Sequence, residues 1–271
     1  MSARAWSLDE VLALLGPIAL IWSGVFASHF IRCVLASGLV ELAVHRVPVL
    51  RAARLRSYQP DDAQRRRELR ASLHTGAIFG LQFLVLIGAA RAGWTQLYFD
   101  RARFGTGYLL LSFVLALLIH DAYFYWTHRW MHRRGVFKAV HLDHHRSHYP
   151  IPWTAFSFHP LESVVQGGFH LLLPLVLPLH VSMLGAIIVW TNVYGALLHC
   201  GCDVFFVRGA GASTWRARLL NGPVEHEAHH NGCDGNFALY FSFWDRVMGT
   251  HRGPTAVPHT TLANARWGDS P

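Results

Sequence analysis

The stretch YLLLSFVLALLIHDAYFYWTHRWMH, Tyr108 to His132, joins an apolar run to a pair of histidines. At about 1.5 Å per residue, the part from Tyr108 to Trp126 approaches the thickness of a bilayer's hydrocarbon core. His128 and His132 follow directly and stand four residues apart, so on a helix they share one face and can reach one metal ion. The stretch therefore predicts a membrane-spanning helix that carries two imidazoles to a site at its end.

The composition of the chain is typical of a membrane protein. Of its 271 residues, 52% are hydrophobic and only 15% are charged, whereas a soluble domain carries about 25% charged residues. The net charge of +8 rests on arginine, since Lys138 is the single lysine. Positive charge of this kind marks the cytoplasmic loops of a membrane protein and does not indicate nucleic-acid binding. The four cysteines form no C-x-x-C pair and are predicted to be reduced.

Three other stretches are apolar enough to enter a membrane. Val11 to Leu35 predicts a first span, and Ala77 to Ala92 predicts a second one that pairs with the third, Tyr108 to Trp126, as a tight hairpin. Phe169 to Leu198 is broken by two prolines and His180, which favours a helical hairpin that enters and leaves on one face.

The arginines predict the orientation of these spans. Arg51 to Arg70 contains seven arginines without apolar periodicity, and it is the best candidate for a cytoplasmic loop. That assignment places His128 and the residues after it on the cytoplasmic side. The predicted fold is all-α: an integral membrane helical bundle of about three spans plus a helical hairpin, with a cytoplasmic histidine-rich helical cap that holds a di-metal site.

Two further histidine boxes follow the first. HLDHH and HEAHH each place three histidines at positions i, i+3 and i+4, on one face of a helix. Their histidines are His141, His144 and His145 in the one box and His226, His229 and His230 in the other. With His128 and His132 they make eight imidazoles, more than the four ligands of a structural zinc or the three of a catalytic zinc. The boxes therefore predict two metal ions, although imidazole suits iron, copper and zinc alike.

The third box also permits another interpretation. His226-Glu227-Ala228-His229-His230 satisfies the zinc-protease pattern H-E-x-x-H, with Glu227 as the catalytic base. A membrane zinc protease would leave the first two boxes without a purpose. A non-enzymatic membrane metal-binding or transport protein is a further alternative, and it would require ionisable residues along the spans as an ion path.

Three of the histidines outside the boxes are considered as further ligands. His199 comes at the cytoplasmic end of the returning helix, and we expect it to be a ligand. His180 precedes it by nineteen residues, about 28 Å of helix, and should be out of reach. His120 lies about 12 Å deeper than His128 and is expected to line a substrate tunnel or to make a local hydrogen bond.

Carboxylates near the boxes are candidates to orient the metal ligands. A metal-bound imidazole usually donates its second N–H to a carboxylate or a carbonyl group. Asp121, Asp143, Glu162 and Asp245 are the candidates in this sequence.

Longer stretches around the boxes resemble a known family. HRWMH, HLDHHRSHYPIPWTAFSFHPLE and HEAHHNGCDGNFALYFSFWDRVMGT are similar, in order and spacing, to the fatty acid hydroxylase and sterol desaturase superfamily. The similarity runs from about Asp121 to Arg252, includes the PLVLPLH turn and the Asn192 to His199 segment, and is closest to the C-5 sterol desaturase (lathosterol oxidase) branch.

The resemblance implies a non-haem centre of two iron ions, O2 as cosubstrate and an external electron donor such as a cytochrome b5-like protein, a ferredoxin or a flavin reductase. It implies hydroxylation or desaturation of a sterol or a fatty acyl lipid. The ligands carried over are His128, His132, His141, His144, His145, His199, His226, His229 and His230. His159 and Glu162 match the family's HP-x-E/D segment, which implies a supporting or substrate-facing role.

The resemblance also divides the chain. It implies an N-terminal transmembrane region (1–106), a catalytic domain (107–252) and a C-terminal tail (253–271). The segment VRGAGAST, Val207 to Thr214, departs from the family pattern as an insertion, so the cap over the site is expected to differ there.

Overall fold

The computed structural model describes residues 8–55, 62–205, 215 and 219–252. In these residues the helices are α1 (Leu8–Arg46), α2 (Pro48–Ala52), α3 (Asp62–Arg91), α4 (Gly105–Met131), α5 (Val136–Val140), α6 (Leu142–His145), α7 (Pro160–Val176), α8 (Val181–Leu198), α9 (Pro223–Gly232) and α10 (Phe243–Val247). Two short 3-10 helices, Arg101–Arg103 and Pro152–Phe156, and two strands, β1 (Leu97–Tyr98) and β2 (Leu179–His180), complete the described structure. The predicted tail and the VRGAGAST insertion lie outside the described residues.

Helices α1, α3, α4 and α8 are long and apolar enough to cross a membrane. Most of their apolar surface faces outward: Leu20, Leu81 and Leu110 are 75%, 57% and 67% exposed. Apolar side chains on the outside of a bundle are stable in lipid and unfavourable in water. The structure confirms the predicted all-α membrane bundle.

Helices α7 and α8 form the predicted helical hairpin. Pro174 lies near the end of α7, and the chain leaves helical geometry at Leu177, before Pro178. β2 follows, and the His180 side chain then caps α8 by accepting a hydrogen bond from the Ser182 amide at 3.1 Å. Proline thus ends one helix and histidine begins the next, as the sequence indicated.

The predicted tight pairing of the second and third spans is wrong. α3 packs mainly against α1 and α7, and α4 packs against α7 and α8. The cause lies in the connection between α3 and α4, where β1 pairs in parallel with β2 at the tip of the α7–α8 hairpin. This pairing inserts the hairpin between the two spans, and the shared core contains Leu86, Ala116, Phe169 and Ile187.

The arginine-rich stretch predicted as a loop is helical from Asp62 onward. Its inner face is polar, which is why it shows no apolar periodicity. The buried carboxylate of Glu68 accepts hydrogen bonds from Ser147 Oγ at 2.6 Å and Thr154 Oγ1 at 2.9 Å. Polar contacts of this kind attach α3 to the histidine-rich cap.

Candidate metal centre

Nine histidines converge in two groups among the residues that the structure describes. The first group contains His128, His132, His141, His145 and His229, and the second contains His144, His199, His226 and His230. Within each group, one ring nitrogen of every member lies within 4.8 Å of those of the others. The structure thus brings together all nine histidines named from the sequence.

The helical boxes are divided between the two groups. HLDHH sends His141 and His145 to the first group and His144 to the second, while HEAHH sends His229 to the first group and keeps its other two histidines in the second. Positions i+3 and i+4 differ by one residue, which is about 100° of rotation. A box that lies between the groups can therefore serve both.

Backbone carbonyl groups fix the tautomer of several rings. Nδ1 donates to a carbonyl oxygen in His128 (to Phe237, 2.9 Å), His144 (to Ser157, 3.3 Å), His199 (to Gly195, 2.7 Å) and His229 (to Gly235, 2.7 Å). A carbonyl group only accepts, so each of these Nδ1 atoms carries the proton. The Nε2 lone pair of each ring is then directed into its group.

The inward-facing nitrogens are close enough to share a cation. Nε2 atoms approach one another at 3.0 Å between His128 and His141, at 3.1 Å between His145 and His229, and at 2.9 Å between His199 and His226. The Nε2 atoms of His144 and His199 lie 3.3 Å apart, although both rings carry their proton on Nδ1. Two lone pairs repel at this distance, and a metal ion bound by both removes the repulsion.

Other buried nitrogens are also available as ligands. His132 Nε2 and both ring nitrogens of His230 are buried without a hydrogen-bond partner among the described residues. An unsatisfied buried nitrogen costs free energy unless something binds it. The donor set of neutral imidazoles fits iron, copper or zinc.

Burial keeps the imidazoles neutral. Desolvation lowers the pKa of His199 and His229 to about 4, and it holds the pKa values of His144 and His230 well below the usual range. Neighbouring imidazoles add to the effect at His144 and His230, because one protonated ring disfavours another. At neutral pH the rings are therefore in the form that binds metal.

Glu162 is the predicted carboxylate that touches a ring directly. Its Oε1 lies 2.7 Å from Nδ1 of His141, and both side chains are almost fully buried. Burial raises the pKa of Glu162 well above its usual range, whereas a positive ion in the first group would favour the carboxylate form. Glu162 orients His141 with its Nε2 toward the group.

Asp245 and Asp121 act one step away from the rings. Asp245 accepts from the amides of Phe237 and Ala238, each at 2.9 Å, and Phe237 in turn supplies the carbonyl oxygen for His128. Asp121 accepts from the Tyr240 amide at 2.7 Å. Asp121 attaches residues 240 and 241 to α4, and Asp245 attaches residues 237 and 238 to α10, so together they position the Phe237 carbonyl group that accepts from His128.

His159 and Asp143 serve structural roles. His159 Nδ1 accepts from the Leu161 amide at 3.2 Å, which caps α7 immediately before Glu162. Asp143 is exposed and pairs with Arg146 at 2.7 Å. His159 therefore supports the helix that carries Glu162, and Asp143 does not orient a ligand.

His180 and His120, the other two histidines considered from the sequence, lie away from both groups. His180 Nε2 donates to the Phe99 carbonyl oxygen at 2.9 Å, at the far end of the hairpin where it was expected. His120 hydrogen-bonds through Nδ1 to the Tyr240 hydroxyl at 2.9 Å and stacks on Phe169.

A cavity of about 150 Å3 joins the groups to the interior of the bundle. His128, His141, His144, His199 and His226 line one part of it. Apolar side chains line another part: Val25, Phe79, Phe83, Leu86, Leu171 and Ile188. An apolar cavity that ends at a polar cluster fits a lipid chain or ring system.

The cavity lining includes polar residues that the sequence analysis did not assign to the site. Arg32 had a signal, because it interrupts the apolar first span. Asn192 was noted only as the start of the Asn192 to His199 segment, and His170 had no signal, since it lies among apolar residues without a spacing that relates it to the boxes.

The region that contains the histidine groups also matches a known protein family. The fatty acid hydroxylase family model matches residues 113–250, just over half of the chain. This range contains all nine clustered histidines and the carboxylates that position them. No solved structure matches the chain at a significant level.

Curated relatives include sterol-modifying enzymes. The Delta(7)-sterol 5(6)-desaturase ERG3B of Gibberella zeae is 28% identical over 191 residues, which cover 70% of this chain and 57% of that protein. Lathosterol oxidase of Mus musculus is 31% identical over 178 residues, with 64% and 57% covered. Its human counterpart is 27% identical over 195 residues, with 71% and 63% covered.

The chain spans less than two-thirds of the length of these relatives. The family model and the relatives nevertheless agree with the motifs that surround the three histidine boxes. The chain belongs to the fatty acid hydroxylase family, and within it the chain is similar to the C-5 sterol desaturases.

Proposed function

We propose that the chain is a membrane oxidoreductase that hydroxylates or desaturates a lipid, a sterol or a fatty acyl lipid, with two iron ions held by the two histidine groups. One observation carries the proposal: two sets of inward-facing imidazole lone pairs lie at the end of a cavity with apolar walls. The sterol desaturases among its relatives support the choice of substrate class.

Each histidine group would hold one ion. The five rings of the first group and the four of the second present neutral nitrogens, and Glu162 and the backbone carbonyl groups keep those rings in place. Bound iron would supply the activation of O2 that attack on an unactivated C–H bond requires. The protein's own contribution is to orient the ligands, to exclude water and to position the lipid.

The reaction needs electrons from outside the chain. Hydroxylation inserts one oxygen atom into a C–H bond and reduces the other to water, whereas desaturation removes two hydrogens and reduces both oxygen atoms to water. In either case an external donor must supply two electrons for each O2 molecule. We propose a cytochrome b5-like protein, a ferredoxin or a flavin reductase in this role.

A basic cleft beside the second histidine box supports docking of such a donor. It has a volume of about 400 Å3, and its lining includes Arg66, Arg67, Arg70 and His74 from α3 together with Arg146, which follows His145 directly. An acidic partner would be attracted to this surface. The same arginines favour a cytoplasmic location for the histidine boxes.

The arrangement disfavours a zinc protease. His226 and His230 lie with His144 and His199, so four imidazoles surround one position. A catalytic zinc keeps three protein ligands and an open site for water, whereas four ligands close the site. The five-membered first group would also have no role in that enzyme.

Comparison of cellular lipids tests the proposed reaction. Cells that express the chain should contain a lipid shifted by +16 mass units for hydroxylation or by −2 for desaturation, relative to cells without it. His144→Ala should abolish the shifted species, and Glu227→Gln should retain it. A lipid profile that is the same with and without the chain, together with a peptidase activity that requires Glu227 but not His144, would favour the protease instead.

A further inference from the structure

Four polar side chains line the cavity at a second level, away from the histidine groups. They are Arg32 on α1, His120 on α4, His170 on α7 and Asn192 on α8. We refer to these four residues as the polar ring. Each comes from a different helix, so the ring surrounds the cavity.

Helix geometry places the polar ring at one depth. His120 precedes His128 by eight residues and His170 follows Glu162 by eight, which corresponds to about 12 Å of helix in each case. Asn192 precedes His199 by seven residues, or about 10 Å. Three helices thus independently separate the ring from the histidine groups by about 10 to 12 Å.

Contacts within the ring leave hydrogen-bonding capacity unused. With its carboxamide oriented to satisfy both atoms, Asn192 accepts from Arg32 Nε at 3.1 Å and donates to the Ile188 carbonyl oxygen at 3.3 Å. His170 lies 6.0 Å from His120 between ring centroids, and its Nε2 is buried without a hydrogen-bond partner among the described residues. The ring can therefore offer Arg32 and His170 to a bound group.

The charge of Arg32 is not neutralised by a nearby acid. Its guanidinium group hydrogen-bonds to Ser28 and Asn192. Among the described ion pairs, no carboxylate lies within 4.0 Å of it. A cation within a membrane span is costly and marks a substrate or ion path. A ligand oxygen that accepts hydrogen bonds would reduce this cost.

We propose that the polar ring binds the oxygen-bearing end of the lipid substrate and thereby selects the carbon that reaches the histidine groups. This inference rests on the proposed lipid oxidoreductase function. Arg32 donates to the substrate oxygen, and His170 Nε2 provides a second contact. The separation between the polar ring and the histidine groups then determines which carbon of the bound lipid reaches the metal ligands.

Binding of matched lipids to the purified full-length protein in nanodiscs tests the polar ring. The radiolabelled probes are octadecanoic acid, cholesterol and octadecane, which offer a carboxylate, a hydroxyl group and no oxygen. The wild-type protein should bind one of the oxygen-bearing probes at least about tenfold more tightly than octadecane, as expected for a hydrogen bond to a charged group. Preference for the acid identifies an acyl substrate, and preference for cholesterol identifies a sterol.

Variants connect that preference to the ring. Arg32→Met should remove it, Arg32→Lys should retain part of it, and Arg129→Met should leave it intact because Arg129 lies outside the cavity lining. His170→Leu, which retains Arg32, should weaken binding of the preferred probe severalfold and provides a second test if Arg32→Met does not fold.

Two results would contradict the proposed role of the polar ring. One is equal affinity of the wild type for all three probes, and the other is a preference for the oxygen-bearing probe that is unchanged in Arg32→Met and His170→Leu. The assay contains neither O2 nor a reductant, so it is independent of turnover. Binding that depends on Arg32 without any oxidised lipid in cells would refute the proposed reaction alone. If cells contain the oxidised lipid but the variants keep the wild-type binding preference, the proposed role of the polar ring would be refuted and the proposed reaction would stand.

Discussion

At the scale of single residues, the site consists of neutral imidazoles whose lone pairs are aimed by their neighbours. Carbonyl oxygens of Phe237 and Gly235 hold the Nδ1 protons of His128 and His229, and Glu162 contacts His141 in the same way. Each ring is thus fixed in orientation before any ion binds. Because these hydrogen bonds orient the rings in advance, loss of a group that holds a metal ligand lowers the affinity for the metal.

Loss of the Glu162 carboxylate should weaken metal binding. Glu162→Ala removes the group that orients His141, and we expect the affinity for iron to fall about 10- to 100-fold. Asp143→Ala is the matched control, because Asp143 is a neighbouring but exposed carboxylate that pairs with Arg146. Iron titration of the chelated proteins measures both affinities; equal affinities in the two variants would contradict the role of Glu162.

The metal-free protein should lose stability in mild acid. Histidines in the unfolded chain take up protons below their ordinary pKa of about 6.5, whereas buried His199 and His229 remain neutral until about pH 4. Because the unfolded state binds more protons in this window, the free energy of unfolding falls as the pH decreases from about 7 toward 5. Thermal unfolding in detergent at several pH values measures this slope; a flat or opposite dependence would show that the rings are not buried as described.

The sequence indicated the nine histidines but not the hydrogen-bond partners that orient their rings. Spacing reveals which imidazoles share a helix face, so the boxes were visible without a structure. The carbonyl oxygens of Phe237 and Gly235 were not, because every residue carries one. Asp121 and Asp245 were named as candidates to orient the ligands, whereas the structure places their carboxylates on backbone amides, and spacing cannot show that difference.

At the level of helices and loops, the segment after α9 supports the first histidine group, because its carbonyl groups accept from His128 and His229. Gly235 lies in this segment, and a Cβ there would collide with the Thr250 carbonyl oxygen and meet Arg252 Cγ at 2.7 Å. The same Gly235 supplies the carbonyl oxygen for His229 at 2.7 Å. Close backbone approach and ligand orientation are thus combined at one glycine.

Gly235→Ala should therefore damage the first histidine group. The added methyl group must displace backbone, and we expect a loss of about 1–3 kcal/mol in stability together with reduced metal content. Gly88→Ala is the control: a Cβ at Gly88 meets nothing within 4 Å, and this position inside α3 should gain about 0.5–1 kcal/mol. Thermal unfolding and metal analysis of both variants measure the difference, and an undisturbed Gly235→Ala protein would refute the close approach.

Helix positions were more predictable than helix neighbours. Hydropathy indicated the spans, and Pro174 and Pro178 indicated the α7–α8 hairpin. The pairing of α3 with α4 was predicted wrongly because strands β1 and β2 contain two residues each. Strands that short have no detectable alternation, although their pairing decides which helices meet. The helical start of α3 was missed because its buried face is polar, as Glu68 shows.

At the level of the whole molecule, the apolar outer surface and the apolar cavity both suit a protein that acts on a lipid in a membrane. The four long helices keep the chain in the membrane, where a lipid can enter from the bilayer. The cavity between α1, α3, α4, α7 and α8 leads from apolar walls to the histidine groups. The basic cleft lies beside the second histidine box on the cap, so the lipid and the electron donor that we propose would approach different surfaces of the protein.

We propose that two metal ions, both iron, bind where the nine histidines converge. Metal analysis of the purified full-length protein, produced with iron and zinc both supplied, tests it most directly. We predict about two iron ions per chain, as two groups of ligands require. We also predict that His128→Ala and His226→Ala, one from each group, each lower the iron content. One zinc ion per chain and no iron would contradict the account.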